Sequence, residues 1–156
     1  MRVAALIPAF NEADLILQTI KAVQSIPEVS EIVVINDGSH DETSMIAKAA
    51  QVQVIDLYPN CGKGAALNAG WKRVDAHVYL LLDADLGETA RYGSQLLKPV
   101  LDGKAHMTVA QFSKQQVDNH KKMGFGLVRR FATLGVWILT GQVFSSPLSG
   151  QRAVTA

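Results

Sequence analysis

The strongest constraint on the fold is an alternation of short apolar runs with longer segments whose apolar residues recur at helical spacing. Between residues 12 and 25, for example, Ile16, Ile20 and Val23 recur every three or four residues, with polar residues on the opposite side. The apolar runs end at proline, glycine or charged residues, which is typical of strands buried on both faces. This order indicates right-handed β-α-β crossovers. It predicts an α/β fold with a mainly parallel central sheet flanked by helices.

The predicted elements follow one another along the chain. Strands are predicted at residues 3–7, 31–35, 52–57, 77–82 and 106–110. Helices are predicted at 12–25, after Ser39, at 63–73, at 92–101 and at 126–142. Ser39 and Glu42 form a capping-box pattern for the second helix.

The residues directly after the predicted strands carry most of the candidate chemistry. In an open parallel sheet, ligands bind beyond the carboxyl ends of the strands. Glu12 follows the first strand, Asp37 follows the second, and Asp83 and Asp85 follow the fourth. We therefore expect three carboxylate-bearing loops to meet along one edge of the sheet.

Asp83 and Asp85 are separated by one residue at the end of an apolar run. The alternation of side chains along a strand would place both carboxylates on one side. Because like charges repel at short range, a cation between them stabilises such a pair, and Mg²⁺ or Mn²⁺ prefers oxygen ligands. Two aspartates that form a turn and cap a helix are the alternative interpretation. The position after a buried strand favours the metal site.

Two further loops contain residues with more than one interpretation. Asp37 lies in an Asn-Asp-Gly-Ser turn signal, so its carboxylate either stabilises the turn or accepts hydrogen bonds from a nucleobase or ribose. Lys63 lies in a glycine-rich loop before a helix, a position that favours anions. Gly64 stands where a P-loop has Ser or Thr, and Leu67 occupies the last glycine position of the dinucleotide-binding fingerprint. An ATPase or a dehydrogenase is therefore not indicated.

Composition and charge exclude several classes of protein. Hydrophobic residues make up 48% and charged residues 19%, which is sufficient for a buried core. The chain has 15 basic and 14 acidic side chains and a net charge of +1, so nucleic acid is not the expected partner. The single cysteine, Cys61, excludes an internal disulfide. Because the N-terminal apolar run is too short for a signal peptide or a membrane span, we expect a cytoplasmic protein.

The second half of the chain combines a polar and an apolar segment. Residues 113–122 are polar and are predicted to form a mobile loop. The predicted helix at 126–142 has too few strictly apolar residues to cross a bilayer. Its apolar side chains suit packing on the sheet, pairing with a second copy of the chain in a homodimer, or peripheral contact with the inner face of a membrane.

Four motifs together resemble the family 2 glycosyltransferases of the GT-A fold. They occur in the family's order and spacing at residues 7–12, 35–39, 60–70 and 82–86, and the last includes an Asp-x-Asp (DXD) motif. A looser resemblance to polyprenyl-phosphate sugar synthases extends to a Ser-Gly-x-Arg segment at 149–152. The resemblance implies a Rossmann-like nucleotide-diphospho-sugar transferase fold, a UDP- or GDP-sugar donor, and Mg²⁺ or Mn²⁺ as the cofactor.

The resemblance also implies roles for individual residues. Asp85 and Arg152 would be the catalytic residues: Asp85 would hold the metal, and Arg152 would lie near the phosphate or the acceptor. Asp83 would approach the ribose or the metal. Lys63 would lie beside the nucleotide, and Asp37 would contact the base. The nucleoside pocket would be lined by Pro8, Ala9, Asn11 and Glu12.

The reaction implied by the resemblance is metal-dependent transfer of a sugar to an acceptor. A lipid phosphate, or a small phosphorylated or carboxylate acceptor, is already ionised and needs no general base. This suits residues 145–148, which lack the aspartate that the synthases carry before Ser-Gly. We expect residues 1–156 to form one GT-A domain truncated on the acceptor side, with the nucleotide-sugar and metal half at 1–90 and part of the acceptor half at 91–156. The alternatives are a sugar-phosphate nucleotidyltransferase and a noncatalytic nucleotide-sugar-binding module.

Overall fold

The computed structural model describes residues 1–111 and 150–156. Within these residues the strands are β1 (Val3–Ala9), β2 (Glu31–Asp37), β3 (Gln53–Leu57), β4 (Val78–Leu81), β5 (Met107–Val109) and β6 (Arg152–Thr155). They form one sheet in the order β3-β2-β1-β4-β6-β5. The helices are α1 (Ile16–Gln24), α2 (Thr43–Ala49), α3 (Lys63–Arg73) and α4 (Gly93–Leu101), and a 3-10 segment, Ala84–Tyr92, precedes α4.

The sheet is mainly parallel, and the predicted fold class is confirmed. β1 pairs in parallel with both β2 and β4, and β2 pairs in parallel with β3. Helices connect these strands, as parallel pairing requires. β6 pairs antiparallel with β4, so the last described residues lie inside the sheet between β4 and β5.

β1 is buried at every position because both faces of the sheet are covered. Ala5 and Ile7 lie in one hydrophobic core together with Ile20 of α1. Leu6 lies in a second core together with Ala66 of α3. Successive residues of β1 therefore alternate between two cores, as the pleat of a strand dictates.

The chain folds into two compact units. The first comprises Met1–Thr108 and Gln151–Ala156, and the second comprises Val109–Gly150. Only residues 109–111 and 150 of the second unit are described, so the predicted loop at 113–122 and the predicted helix at 126–142 lie outside the described residues. Across the part of the chain that the structure describes, no helix is both long enough and apolar enough to cross a membrane.

Most predicted elements are confirmed with ends that differ by one or two residues, and α3 matches its predicted range. The start of α1 differs more. It begins at Ile16 rather than at residue 12, because residues 12–15 form a turn in which the Glu12 carbonyl accepts the amides of Leu15 (3.2 Å) and Ile16 (2.9 Å).

The predicted capping box of Ser39 and Glu42 is wrong. α2 begins at Thr43, and no side-chain cap bonds to its N-terminus from Glu42. The Asp41 carboxylate accepts the Thr43 amide at 3.0 Å instead. The Ser39 hydroxyl accepts the amide of Asn11 at 3.0 Å, so tertiary contact takes the place of the local cap.

Candidate functional site

A cavity opens at the carboxyl ends of β1, β2 and β4, within the first compact unit. Its volume is about 460 Å³, which is in the range of small-molecule sites. Its lining comes from the ends of β1 and β2, from the segments that follow β1, β3 and β4, and from the start of α3. The lining residues are Pro8, Ala9, Phe10, Glu12, Asp37, Asn60, Gly62, Lys63, Asp83, Ala84 and Asp85. The carboxylate-bearing residues Glu12, Asp37, Asp83 and Asp85 therefore meet at one edge of the sheet, as predicted.

The loop after β1 is held by hydrogen bonds to the loop after β2. The Ser39 hydroxyl accepts the Asn11 amide (3.0 Å), and the Asn11 side-chain carbonyl accepts the His40 amide (2.8 Å). The Thr43 hydroxyl accepts the Glu12 amide (2.9 Å). Asn11 has a φ of 55°, in the left-handed region that asparagine tolerates better than most residues. Asn11 therefore shapes the loop and is not one of the cavity-lining residues.

Asp37 belongs to β2 rather than to the turn in which the sequence analysis places it, and only 3% of it is exposed. Its carboxylate accepts the amides of Cys61 (3.0 Å) and Gly62 (2.7 Å). The Asn60 side-chain amide donates to the Asp37 main-chain carbonyl at 2.9 Å. Hydrogen bonds to an ionised carboxylate are strong. The two bonds from Cys61 and Gly62 therefore fix the glycine-rich loop against β2, and Asp37 also borders the cavity. The contact of Asp37 with a nucleobase stays a prediction.

Lys63 is the first residue of α3 and lies at the cavity. Its ammonium group forms an ion pair with the Asp83 carboxylate, which links the start of α3 to the loop after β4. Gly62, just before it, has a φ of 87°, a conformation that favours glycine. The first amides of a helix have no partner within the helix and attract anions. A positive side chain and a helix N-terminus therefore lie beside the two aspartates.

Asp83 and Asp85 both line the cavity, but strand alternation is not the reason. β4 ends at Leu81, and Asp85 lies in the 3-10 segment that follows. A helical turn rather than the pleat of a strand sets the direction of the Asp85 side chain, so the predicted geometric basis for this pair is wrong. Asp83 is half-buried and paired with Lys63, whereas Asp85 is exposed.

Negative charge is concentrated around Glu12. Burial raises the pKa of Glu12, and the carboxylates of Asp85, Asp41, Asp14 and Asp83 raise it further because each disfavours a second negative charge nearby. This arrangement is electrostatically unfavourable unless a cation is close. The acidic end of the cavity is therefore suited to positive charge.

The chemistry of these side chains fits a hard divalent cation. Carboxylate oxygens are the ligands that Mg²⁺ and Mn²⁺ prefer. Among residues 1–111 and 150–156, no group of three or more His, Cys, Asp or Glu side chains is arranged to hold a metal. Asp83 and Asp85 both line the cavity, and a pair of carboxylates fits Mg²⁺, which usually takes one or two carboxylates and completes its coordination with water and substrate oxygens.

All of the predicted site residues except Asn11 and Arg152 line the cavity. Arg152 is a half-buried residue of β6 that pairs with Leu81 of β4. Its place near phosphate or the acceptor stays a prediction.

Four lining residues are not among the predicted site residues: Phe10, Asn60, Gly62 and Ala84. Phe10 is 43% exposed, and its ring meets the His40 ring edge to face at 6.2 Å between centroids. The signal for Phe10 is an aromatic residue between a buried strand and a polar loop. The signal for Asn60 is its place at the start of the glycine-rich loop.

The fold and the site together define a class of protein. A parallel sheet with a cavity at its carboxyl edge, bordered by carboxylates and a helix N-terminus, is the architecture of nucleotide-binding α/β proteins. The sequence then specifies the family, because residues 4–149 match Glycosyl transferase family 2. The chain belongs to this family.

Relatives with similar sequences include proteins of stated activity. An uncharacterised protein of Methanocaldococcus jannaschii is 30% identical over 154 residues, covering 94% of this chain and 62% of that protein. Poly-beta-1,6-N-acetyl-D-glucosamine synthase of Staphylococcus epidermidis is 37% identical over 89 residues, covering 53% of this chain and 21% of the synthase. Undecaprenyl-phosphate 4-deoxy-4-formamido-L-arabinose transferase of Proteus mirabilis is 32% identical over 95 residues, covering 54% of this chain and 29% of the transferase. The chain spans less than two thirds of the length of each of these relatives.

Solved structures share the fold. Glucosyl-3-phosphoglycerate synthase from Mycobacterium tuberculosis, in complex with Mn²⁺, UDP-glucose and phosphoglyceric acid, superposes with a TM-score of 0.80 at 22% identity. The similarity covers 99% of this chain and 56% of the synthase. The same enzyme with Mg²⁺ and UDP gives a TM-score of 0.75 at 21% identity. The fold of the chain is the GT-A glycosyltransferase fold.

Proposed function

We propose that this chain transfers a sugar from a nucleoside-diphosphate sugar to an acceptor, with Mg²⁺ or Mn²⁺ as the cofactor. The observation that carries the proposal is the cavity in which Lys63, Asp83 and Asp85 meet at the carboxyl edge of the sheet. Membership of a glycosyltransferase family supports sugar transfer over the alternative of nucleotidyl transfer.

The residues of the cavity suit the charge that develops in such a reaction. Negative charge grows on the departing nucleoside diphosphate while the sugar carbon gains oxocarbenium character. The Lys63 ammonium group and the first amides of α3 stabilise that negative charge. Asp85 and Asp83 would hold the cation, which when bound supplies Lewis-acid stabilisation of the diphosphate. Lys63 pairs with Asp83 in this structure. Its ammonium group would be available for phosphate if a cation took its place beside Asp83.

The nucleoside is proposed to lie against Pro8, Ala9 and Glu12, with Asp37 at the base. UDP-sugars are the first donors to test, because a similar fold binds UDP-glucose with Mn²⁺, and GDP-sugars follow. Arg152 is proposed to lie near the phosphate or the acceptor, since its strand pairs with the end of β4.

A phosphate- or carboxylate-bearing acceptor is proposed, because it is already ionised and needs no general base. One relative is named for an undecaprenyl phosphate, and one similar structure holds phosphoglyceric acid. A lipid phosphate and a small phosphorylated acid are therefore the two acceptors to compare.

Ligand-dependent thermal stability tests the donor and the metal together. We expect a UDP- or GDP-sugar with Mn²⁺ at about 100 times its dissociation constant to add about 2.7 kcal/mol of stability, which raises the melting temperature by about 5–10 °C. Asp85→Ala should abolish most of this increase. The matched control is Asp75→Asn, since Asp75 is 92% exposed and pairs with Arg2 away from the cavity.

Release of nucleoside diphosphate from the donor completes the test. Metal-dependent release that is lost in Asp85→Ala supports the enzyme. An equal thermal increase in EDTA contradicts the metal role, and binding without release in the presence of either acceptor indicates a noncatalytic module. Formation of pyrophosphate from a nucleoside triphosphate and a sugar phosphate would instead identify a nucleotidyltransferase.

A further inference from the structure

Thr19 is a polar residue at the centre of the apolar face of α1. It is fully buried, with 0% of its surface exposed, beside Ile16, Ile20 and Val23. A buried hydroxyl group costs free energy unless it forms hydrogen bonds. The local sequence offers no reason for a threonine here, because a helix packed on a core favours an aliphatic side chain at this position.

Both hydrogen bonds of the Thr19 hydroxyl are made to the turn that carries Asp85. The hydroxyl donates to the main-chain carbonyl of Ala84 at 2.7 Å and accepts the amide of Gly87 at 2.9 Å. Asp85 lies between these two bonded positions. The two bonds therefore fix the backbone on both sides of Asp85.

The backbone of this turn needs such support because it is not a regular helix. Gly87 has φ 53° and ψ −138°, which interrupts the 3-10 segment. Gly87 is buried, and a Cβ there would lie 3.3 Å from the side-chain oxygen of Gln18, also on α1. At this break, the Thr19 hydroxyl accepts the Gly87 amide. In a regular helix, that amide would have bonded to a carbonyl of the helix itself.

We infer that Thr19 is a positioning residue that holds the Asp83–Asp85 turn in the geometry that binds a divalent cation. Side chains that orient a ligand residue without touching the ion strongly affect metal affinity. The inference rests on the proposed function for the role of Asp85. It adds a residue that lies outside the cavity lining and acts on Asp85 through the backbone.

The experiment compares Thr19→Val with Thr19→Ser. Valine has nearly the same shape but cannot form either hydrogen bond, whereas serine keeps the hydroxyl. The matched control is Thr108→Val, which removes a hydroxyl that donates to the Leu96 carbonyl at 2.7 Å, away from the cavity. Two quantities are measured on the full chain: hydrogen exchange of peptides covering residues 84–90 without ligand, and the Mn²⁺ dissociation constant at saturating UDP.

We expect Thr19→Val to accelerate exchange in residues 84–90 and to weaken Mn²⁺ binding about 10–100-fold, the range found for residues that orient metal ligands. Thr19→Ser keeps the hydroxyl, so its exchange rate and Mn²⁺ dissociation constant should stay near the wild-type values. Thr108→Val should also leave both quantities near the wild-type values. A merely structural threonine would lower the melting temperature without changing the Mn²⁺ dissociation constant.

The outcomes separate this inference from the proposed function. If the wild type binds Mn²⁺ through Asp85 and Thr19→Val binds it equally well, the inference is overturned and the proposed function stands. If the wild type binds no Mn²⁺ in the presence of UDP, the metal role in the proposed function is wrong. The inferred effect of Thr19 on cation binding is then wrong as well. Unchanged exchange in Thr19→Val would overturn the claim that Thr19 holds the turn, whatever the metal does.

Discussion

At the scale of single residues, Asp56 illustrates how polar groups near the site are satisfied. Its carboxylate accepts hydrogen bonds from the side chains of Lys48 (2.7 Å), Ser44 (2.6 Å) and Asn36 (2.8 Å). The bond and charge of Lys48, with the bonds from Ser44 and Asn36, lower the pKa of Asp56 from 3.8 to about 2. Asn36 adjoins Asp37, so the same network supports the end of β2 at the cavity.

The lowered pKa predicts a pH-dependent contribution of Asp56 to stability. The ionised carboxylate stabilises the folded state above pH about 4, and this contribution is lost as the pH falls from about 4 to about 2. The full shift corresponds to about 2 kcal/mol, but the side chain is 44% exposed, and solvent screening reduces the value to about 1 kcal/mol or less. We expect Asp56→Asn to lower the free energy of unfolding by that amount at neutral pH.

Urea denaturation of the wild type and Asp56→Asn across this pH range measures the effect. The difference in free energy of unfolding between the two proteins should become smaller as the pH falls and the wild-type Asp56 carboxyl becomes protonated. Lys48→Met is the companion variant. In a protein that already carries it, Asp56→Asn should lower the free energy of unfolding by less than it does in the wild type. A difference that stays constant down to pH about 2 would mean that the hydrogen bonds, not the ionisation, account for it.

At the scale of secondary-structure elements, a glycine sets how closely α3 packs on the sheet. A Cβ at Gly70 would lie 3.0 Å from the Ile35 Cδ1 atom and 3.5 Å from the Leu6 Cδ1 atom. α3 therefore packs directly on β1 and β2 because position 70 has no side chain. This close packing holds the start of α3, with Lys63, next to the ends of both strands.

We predict that Gly70→Ala has a free energy of unfolding about 1–3 kcal/mol lower than that of Gly64→Ala, because the added methyl at position 70 overpacks the core. Gly64→Ala in the same helix is the matched control: nothing lies within 4 Å of a Cβ at that position. Alanine is the better helix former, so this control should be neutral or more stable by up to about 1 kcal/mol. Urea denaturation gives both values, and equal effects of the two substitutions would contradict the packing explanation.

At the scale of the whole molecule, the sheet is completed by residues from the far end of the sequence. β6 pairs with β4 across more than seventy positions, with Ala153 opposite Leu80. Ala153 is 0% exposed and belongs to the same core as Ile7 and Ile20. The first compact unit therefore depends on a strand that returns after residues 109–150.

We predict that Ala153→Asp destabilises the entire first unit by about 3 kcal/mol or more, because it places a charge in the core without a partner. Ala156→Asp, at an exposed position just beyond β6, is the control and should change stability little. Far-UV circular dichroism during urea denaturation reports the whole unit. An unchanged midpoint in Ala153→Asp would mean that β6 separates from the sheet without unfolding the rest.

Much of the fold and of the site's composition was predictable because the relevant signals are local. Buried parallel strands must be short and apolar, and their carboxyl ends must carry the polar loops, so Glu12, Asp37, Asp83 and Asp85 could be assigned to one edge from sequence order alone. The capping box failed because the Ser39 hydroxyl has a tertiary partner, the Asn11 amide, that no local pattern reveals.

The sequence by itself determined the α/β class, the order of the elements from β1 to β5, and the family, since periodicity and motif spacing can be read along the chain. It did not predict β6. Only the tertiary structure decided that Lys63 pairs with Asp83, that Asp37 holds the glycine-rich loop, and that Thr19 bonds the turn around Asp85. Each of those contacts joins residues 20 or more positions apart. The physical reason is that such pairs acquire a fixed distance only when the packed sheet brings their elements together, and a linear pattern carries no record of that distance.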